Sequence, residues 1–182
     1  MAAKTQLGKI LFTQEDITQR AKEIAAQIDK DYEGEEVILL GTLKGSILWL
    51  GDIMKYTTAN TKLDFITASS YGSSTSSSGV VKITYEPRIN MYKKHVLVIE
   101  DIIDTGNTLK YLTAKLQERG PKSVKICTML NKESRRIADL HADYVGFEVE
   151  DLFVIGYGLD YDQRYRGLPY ISYLDESDVD SL

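Results

Sequence analysis

From Val96 to Ile99 the chain runs through four apolar residues, three of them β-branched, which predicts a strand buried on both faces, as in a parallel sheet. The run ends in carboxylates, Glu100, Asp101 and Asp104, and passes at once into Thr105, Gly106, Asn107 and Thr108. From Thr108 onward Leu109, Leu112 and Leu116 recur at three- and four-residue intervals, a helical spacing. The segment reads strand, tight turn, helix. Earlier in the chain, Thr13 followed by Asp16 reads as a helix start, and Ile17, Ala21, Ile24, Ala25 and Ile28 share one helical face. Val37 to Leu40 predicts a short buried strand, a helix carrying Leu48, Trp49, Leu50 and Ile53 follows it, and Leu63 to Ala68 reads as a strand. Beyond the helix that opens at Thr108 come a strand around Val124 to Leu130 and a series of short strands from Tyr144 to Tyr173.

Strands alternating with helices predict an α/β fold, a mostly parallel twisted sheet flanked by helices. No internal repeat or long linker interrupts the pattern, so residues 1–182 read as a single domain. Two stretches depart from it. Tyr71 to Val80 carries six consecutive hydroxyl residues between two glycines; it cannot bury apolar area and is expected to be mobile. The last residues, DESDVDSL, are expected to form a solvated tail.

Composition narrows the function classes. Forty-three per cent hydrophobic and 27% charged residues describe an ordinary globule, and 22 basic against 27 acidic side chains, a net charge of −5, argue against a nucleic-acid partner. The one cysteine, Cys127, cannot form an internal disulfide and lies in an apolar stretch, where an inert core thiol is expected. No apolar run approaches the roughly 18 residues of a membrane span, and MAAKTQLGKI has no continuous hydrophobic region, so a cytoplasmic protein without a membrane partner is expected. His95 and His141 fit no metal-ligand or triad spacing, and His95, opening a strand, is expected to be structural.

The chemistry concentrates where the strand meets its turn. A glycine-containing turn at a helix N-terminus presents free N–H groups and a positive dipole end to an anion, and Thr105 and Thr108 add hydroxyl donors. A phosphate beside three carboxylates would be repelled unless something lay between them. A sugar phosphate meets that condition, with its diol on the acids and its 5-phosphate in the turn, and a magnesium ion would balance the excess charge. Taken separately, the acids also read as solvated strand-end residues and the turn as an ordinary helix cap.

The stretch VLVIEDIIDTG resembles the phosphoribosyl pyrophosphate motif of the type I phosphoribosyltransferases: an apolar strand, two acids, two apolar residues, an acid, a hydroxyl residue and glycine. Further matches point to the hypoxanthine-guanine branch. Leu43-Lys44-Gly45-Ser46 resembles its pyrophosphate loop, which often carries a cis peptide between the first two residues, and Ser70-Tyr71 resembles its mobile lid. Lys132 falls where that branch places its base-reading lysine, and Phe153, Val154, Asp160 and Arg166 match positions in a C-terminal hood, here about residues 150–175.

The resemblance implies a role for each position. Asp104 would be the general base, and Glu100, Asp101, Asp104, Thr105, Gly106, Asn107 and Thr108 would hold the ribose and 5-phosphate. Lys44, Gly45, Ser46, Ser70, Tyr71 and Arg166 would hold pyrophosphate, while Lys132, Phe153, Val154 and Asp160 would serve the purine. Glu100, Asp101 and Asp160 would bind Mg2+. The implied substrates are phosphoribosyl pyrophosphate and a 6-oxopurine, hypoxanthine or guanine; Leu152 puts no charge beside the base and leaves their order open. A homo-oligomer, dimer or tetramer, is expected.

Plainer readings stand beside these. The Leu43–Ser46 segment reads equally as a strand-to-helix turn capped by Ser46, Phe153 as core, Asp160 as an exposed strand residue, and Lys132 and Arg166 as surface charges. Asn107 sits where the family varies. The donor motif also occurs in regulators that sense nucleotides. A purine repressor needs an added DNA-binding domain for which 182 residues leave no room, and an RNA-binding attenuator needs a basic face that a net charge of −5 does not suggest. A pyrophosphokinase making the donor itself would need a longer chain.

Overall fold

A computed structural model of the chain describes residues 9–70 and 81–174. The hydroxyl-rich stretch Tyr71 to Val80 and the acidic tail lie outside the described residues. Helix α1 (Gln14–Asp31) opens on a capping box, in which Asp16 N–H donates to the Thr13 hydroxyl at 3.2 Å and Thr13 N–H donates to the Asp16 carboxylate at 2.9 Å. Strand β1 (Glu36–Thr42) leads into helix α2 (Ile47–Tyr56), and then β2 (Asn60–Ser70) and β3 (Val81–Tyr85) follow. Strand β4 (His95–Ile103), helix α3 (Asn107–Gln117), β5 (Ser123–Asn131) and β6 (Tyr144–Glu148) complete the sheet side, and β7 (Phe153–Ile155) and β8 (Ser172–Leu174) form a separate antiparallel pair, the hood.

The six-stranded sheet runs β3-β2-β1-β4-β5-β6 and is parallel except for β3, which pairs antiparallel with β2. Alternation within the strands assigns the two faces. Val37, Leu39, Leu97, Ile99, Cys127 and Met129 pack with the apolar faces of α1 and α2, while Ile38, Leu40, Val96, Val98 and Ile126 pack with Leu109, Leu112 and Leu116 of α3. Burial on both faces is why β1 and β4 read as continuous apolar runs. Cys127 is fully buried, and burial pushes its thiol pKa up to about 12, as suits an inert core residue.

The structure departs from the sequence expectations in two places that matter. Strand β4 does not stop at Ile99; it continues through Glu100 and Asp101 to Ile103, with Glu100 opposite Thr128 and Ile103 opposite Asn131 on β5. The two acids are therefore held in the sheet ladder rather than beyond it. Strand β3 was not anticipated, because it is a half-exposed edge strand following the hydroxyl-rich stretch and lacks a continuous apolar run.

Two carboxylates fasten the connections around this frame. Asp29 accepts from Thr58 N–H and Ala59 N–H, each at 2.9 Å, and from the hydroxyls of Thr57 and Thr58. Asp64 accepts from Arg88 N–H at 2.7 Å, Ile89 N–H at 2.9 Å and Phe65 N–H at 2.8 Å. Burial alone would raise both carboxyls, but these bonds outweigh it and hold each below the ordinary aspartate range. A folded-state pKa below the unfolded value gives stability that is present at neutral pH and lost as the pH falls through the depressed value. Urea unfolding should therefore show wild-type stability dropping more steeply between about pH 5 and about pH 3 than that of an Asp29→Asn, Asp64→Asn variant, which should start about 1–3 kcal/mol less stable at neutral pH.

Candidate active site

Strands β1 and β4 are neighbours and point the same way, but the chain leaves β1 through α2 on one face and leaves β4 through α3 on the other. In open α/β sheets such a switch opens a crevice beyond the strand ends. Here a cleft of about 330 Å³ lies there, lined among others by Lys44, Gly45, Glu100, Asp101, Asp104, Thr105, Gly106, Thr108, Asp160 and Arg166.

The floor is a buried acid. The Thr42 hydroxyl bridges the two strands, 2.9 Å from Ile99 O and 2.8 Å from Glu100 Oε1, and Asp101 N–H also donates to Glu100 Oε1. Burial, and the neighbouring Asp101 carboxylate, push the Glu100 carboxyl well above its usual range. Asp101 accepts from Ile102 N–H at 2.9 Å through Oδ1. A site that holds two adjacent acids in this way favours a ligand bringing hydroxyl donors or a cation.

One wall is the turn after β1, whose Leu43–Lys44 peptide is cis, as the resemblance implied. Gly45 is pressed so closely on Asp101 that a Cβ there would fall 1.4 Å from Asp101 Oδ2, and a Cβ on Gly158 of the hood would fall 2.0 Å from Gly45 O. The backbone of the turn is held between β4 and the hood, and only glycine leaves room at both contacts. Ser46 does not face the cleft as expected. It is fully buried, and its hydroxyl donates back to Thr42 O at 2.6 Å instead of capping α2 or meeting a ligand.

The opposite wall is the turn before α3. Gly106 occupies the N-cap position at φ 80°, with no side-chain cap, so the first-turn N–H groups of α3 have no carbonyl of the helix to bond, and the long Asn107 N–H contact to the Thr105 hydroxyl leaves this end suited to an anion. Arg136 braces this turn from behind. Its guanidinium donates to Asp104 O at 3.1 Å, to Leu140 O at 2.8 Å and to the Asn131 side chain, and Thr105 O accepts from Ile137 N–H and Ala138 N–H. Sequence reasoning passed over Arg136 because NKESRR reads as a solvated charge run; nothing local signals that one of its members turns inward.

The hood supplies the third side. Asp160 pairs with Arg166 at 2.7 Å, and Gln163 Oε1 accepts from both Lys44 at 3.1 Å and Arg166 at 3.2 Å. Asp160 and Arg166 are thus built into the cleft rather than being loose surface charges. Phe153 is 45% exposed, with Tyr161 edge-on at 5.6 Å, so it is a presented ring and not core. Val154 is buried beneath it, and Lys132, 8% exposed, has its N–H on Ile103 O and its ammonium 3.6 Å from Asp151. Asn107 is exposed, and its N–H points to the Thr105 hydroxyl at 3.5 Å. Ser70 ends β2, and Tyr71 lies outside the described residues.

Residues 9–162 match the family model for the phosphoribosyl transferase domain. The chain belongs to the phosphoribosyltransferase family. Over 171 residues, 94% of this phosphoribosyltransferase and 95% of its relative, it is 45% identical to the hypoxanthine-guanine phosphoribosyltransferase of Bacillus subtilis. A crystal structure of a Staphylococcus aureus hypoxanthine phosphoribosyltransferase superposes with a TM-score of 0.91 at 44% identity, covering 94% of this chain and 93% of that one. The Trypanosoma cruzi hypoxanthine phosphoribosyl transferase superposes with a TM-score of 0.91 at 37% identity, covering 97% and 96%.

The left-handed turn gives a direct test. An alanine at Gly106 would carry the left-handed cost of roughly 1–2 kcal/mol, and its Cβ would press on Arg136 Cδ at 3.0 Å. Gly106→Ala should weaken ribose 5-phosphate binding by calorimetry about tenfold and lower the melting temperature.

Proposed function

We propose that this phosphoribosyltransferase moves the 5-phosphoribosyl group of phosphoribosyl pyrophosphate to N9 of a 6-oxopurine, hypoxanthine or guanine, releasing pyrophosphate and IMP or GMP. The role is purine salvage. The observation that carries the reading is the meeting of the adjacent acids Glu100 and Asp101 and the left-handed turn at Gly106 in one crevice, in a chain 45% identical over nearly its whole length to a hypoxanthine-guanine phosphoribosyltransferase.

In this reading the N–H groups and hydroxyls of Thr105 to Thr108 hold the 5-phosphate, and Glu100 and Asp101 accept the ribose diol. Reaction at C1 passes through a transition state of oxocarbenium character. Lys44, Arg166 and the N–H groups of the Leu43–Ser46 turn meet the charge that develops on the leaving pyrophosphate, a preorganised electrostatic effect. Asp104 accepts the proton of a purine ring nitrogen. Phe153 stacks on the base, the Val154 backbone bonds its edge, and the Lys132 ammonium donates to O6. The resemblance of Ser70-Tyr71 to the family's lid implies a cover that would exclude water from the centre.

Magnesium fits the residues present. Among the described residues no group of three or more His, Cys, Asp or Glu forms a ready-made cage. That suits an ion which keeps several waters and takes one or two carboxylates together with substrate phosphates. Glu100 and Asp101 would hold one ion, and Asp160, across the cleft, a second. When bound, the metal neutralises phosphate charge as a Lewis acid.

The regulator alternative finds no support. Lys62 and Lys94 pair with Glu36, Lys122 with Glu35, Lys125 with Asp31 and Arg119 with Glu86, so these cations are balanced rather than gathered into a phosphate-binding face. No helix among the described residues is long and apolar enough to cross a membrane; the cytoplasm is proposed as the compartment on the likeness to hypoxanthine-guanine phosphoribosyltransferases. A homo-oligomer is proposed as well: α2 leaves Ile47, Leu48 and Met54 exposed, and in the T. cruzi relative the C-terminal region bears on oligomeric state.

Steady-state assays test the assignments. Asp104→Asn should leave donor binding nearly intact and lower turnover by about 10²–10⁴-fold, the range for a lost general base; unchanged turnover would remove Asp104 from the reaction. An ammonium can only donate, so it bonds the O6 of an oxopurine and faces the amino group of adenine donor to donor. The native enzyme should therefore discriminate against adenine by up to about 10⁴-fold. Lys132→Gln, whose amide can donate or accept, should reduce hypoxanthine use and narrow that gap.

A further inference from the structure

Asp104 and Lys132 are joined by an ion chain that the reaction scheme above leaves unused. Arg135 Nε lies 2.8 Å from Asp104 Oδ1, and Arg135 Nη1 lies 3.1 Å and 3.3 Å from the two oxygens of Asp151. Asp151 Oδ1 in turn lies 3.6 Å from Lys132 Nζ. Charges thus alternate along Asp104, Arg135, Asp151 and Lys132, which come from three segments: the turn after β4, the 3-10 turn Glu133–Arg135 with the residue before it, and the connection between β6 and β7. Asp104 Oδ1 is shielded from solvent, and its approach to Arg135 lacks the alignment of a hydrogen bond. Oδ2 has no partner among the described residues.

The chain is not explained by stability. The Arg135 and Asp151 side chains are about half exposed, 46% and 52%, and ion pairs of that kind contribute little to folding. It does matter for geometry. A general base works only within hydrogen-bond reach of its proton, and small displacements of a reacting group are expensive in rate. A carboxylate at the mouth of a turn, with one oxygen held, presents the other in a defined direction. A planar guanidinium holds two carboxylates in fixed directions, whereas an ammonium, a compact charge on a flexible stem, fixes neither.

We propose that Arg135 is a positioning residue for Asp104: by holding Oδ1 and anchoring on Asp151, it fixes the base carboxylate relative to Lys132, so that Oδ2 meets the ring N–H of a purine whose O6 lies on Lys132. The proposal rests on Asp104 and Lys132 having the roles assigned above, and a double-mutant cycle separates the two claims. With hypoxanthine as acceptor, Arg135→Ala should lower kcat about tenfold to hundredfold, with the donor KM and the melting temperature unchanged. Arg135→Lys should recover only part of that loss. In an Asp104→Asn background, Arg135→Ala should change kcat by less than about twofold, because there is no base left to position. Wild-type kcat in Arg135→Ala, an equal loss in both backgrounds, or a raised donor KM would overturn the positioning role. Full turnover in Asp104→Asn alone would instead overturn the base assignment.

Discussion

Two parallel strands lie side by side with their outgoing chains sent to opposite faces, and the Thr42 hydroxyl is the stitch between them where they part. That arrangement confines the backbone ends of β1 and β4 while leaving a gap above them. Each wall of the site follows. The turn after β1 has to start in the gap, the acids of β4 line its floor, and the first turn of α3 aims its N–H groups across it. Hydrophobic burial on both sheet faces holds β1 and β4 in place, so the polar site inherits its rigidity from the apolar core.

Charge is then distributed against a steep desolvation cost. Glu100 is the deepest acid and is pushed furthest toward its neutral form, while Asp160 is matched by Arg166 and Asp104 by Arg135. The cleft is thus divided into a floor that welcomes hydroxyls or a cation and two flanks whose side chains already carry paired charges. A ligand with a diol in its middle and phosphates at its ends matches that division.

Much of this is legible in the sequence. The β4–turn–α3 unit is coded locally: an apolar run, acids, a glycine turn and leucines at helical spacing sit within about two dozen residues, so neighbouring positions report on one another. The family resemblance added Lys44, Asp160 and Arg166, which line the cleft, and Lys132, whose N–H bonds the cleft residue Ile103; Phe153 and Val154 are not among the lining residues. Other features depend on packing between distant segments and leave no local trace. The Ser46 hydroxyl turns inward to Thr42 O, Arg136 turns inward because four backbone and side-chain oxygens converge on it, and β3 is held by its edge pairing to β2 and by Ile83 packing on the α3 side of the core. Phe153 has two readings in the sequence, a ring presented to a base or a core aromatic; opening the first strand of the two-stranded hood, it is 45% exposed, which removes the core reading.

The hood is not made by the end of the chain alone. Leu11 N–H donates to Ile171 O at 2.9 Å, Ile171 N–H donates to Phe12 O at 3.0 Å, the Ser172 hydroxyl donates to Lys9 O, and the Phe12 ring stacks on Phe147 at 4.1 Å. Residues ahead of the first helix therefore help to support β8, the strand that pairs with Phe153 and Val154. The amino-terminal segment is thus a remote hinge pin for the hood: a truncation that removed Lys9 to Phe12 would take these supports from β8 and so reach β7 across some 140 positions of sequence.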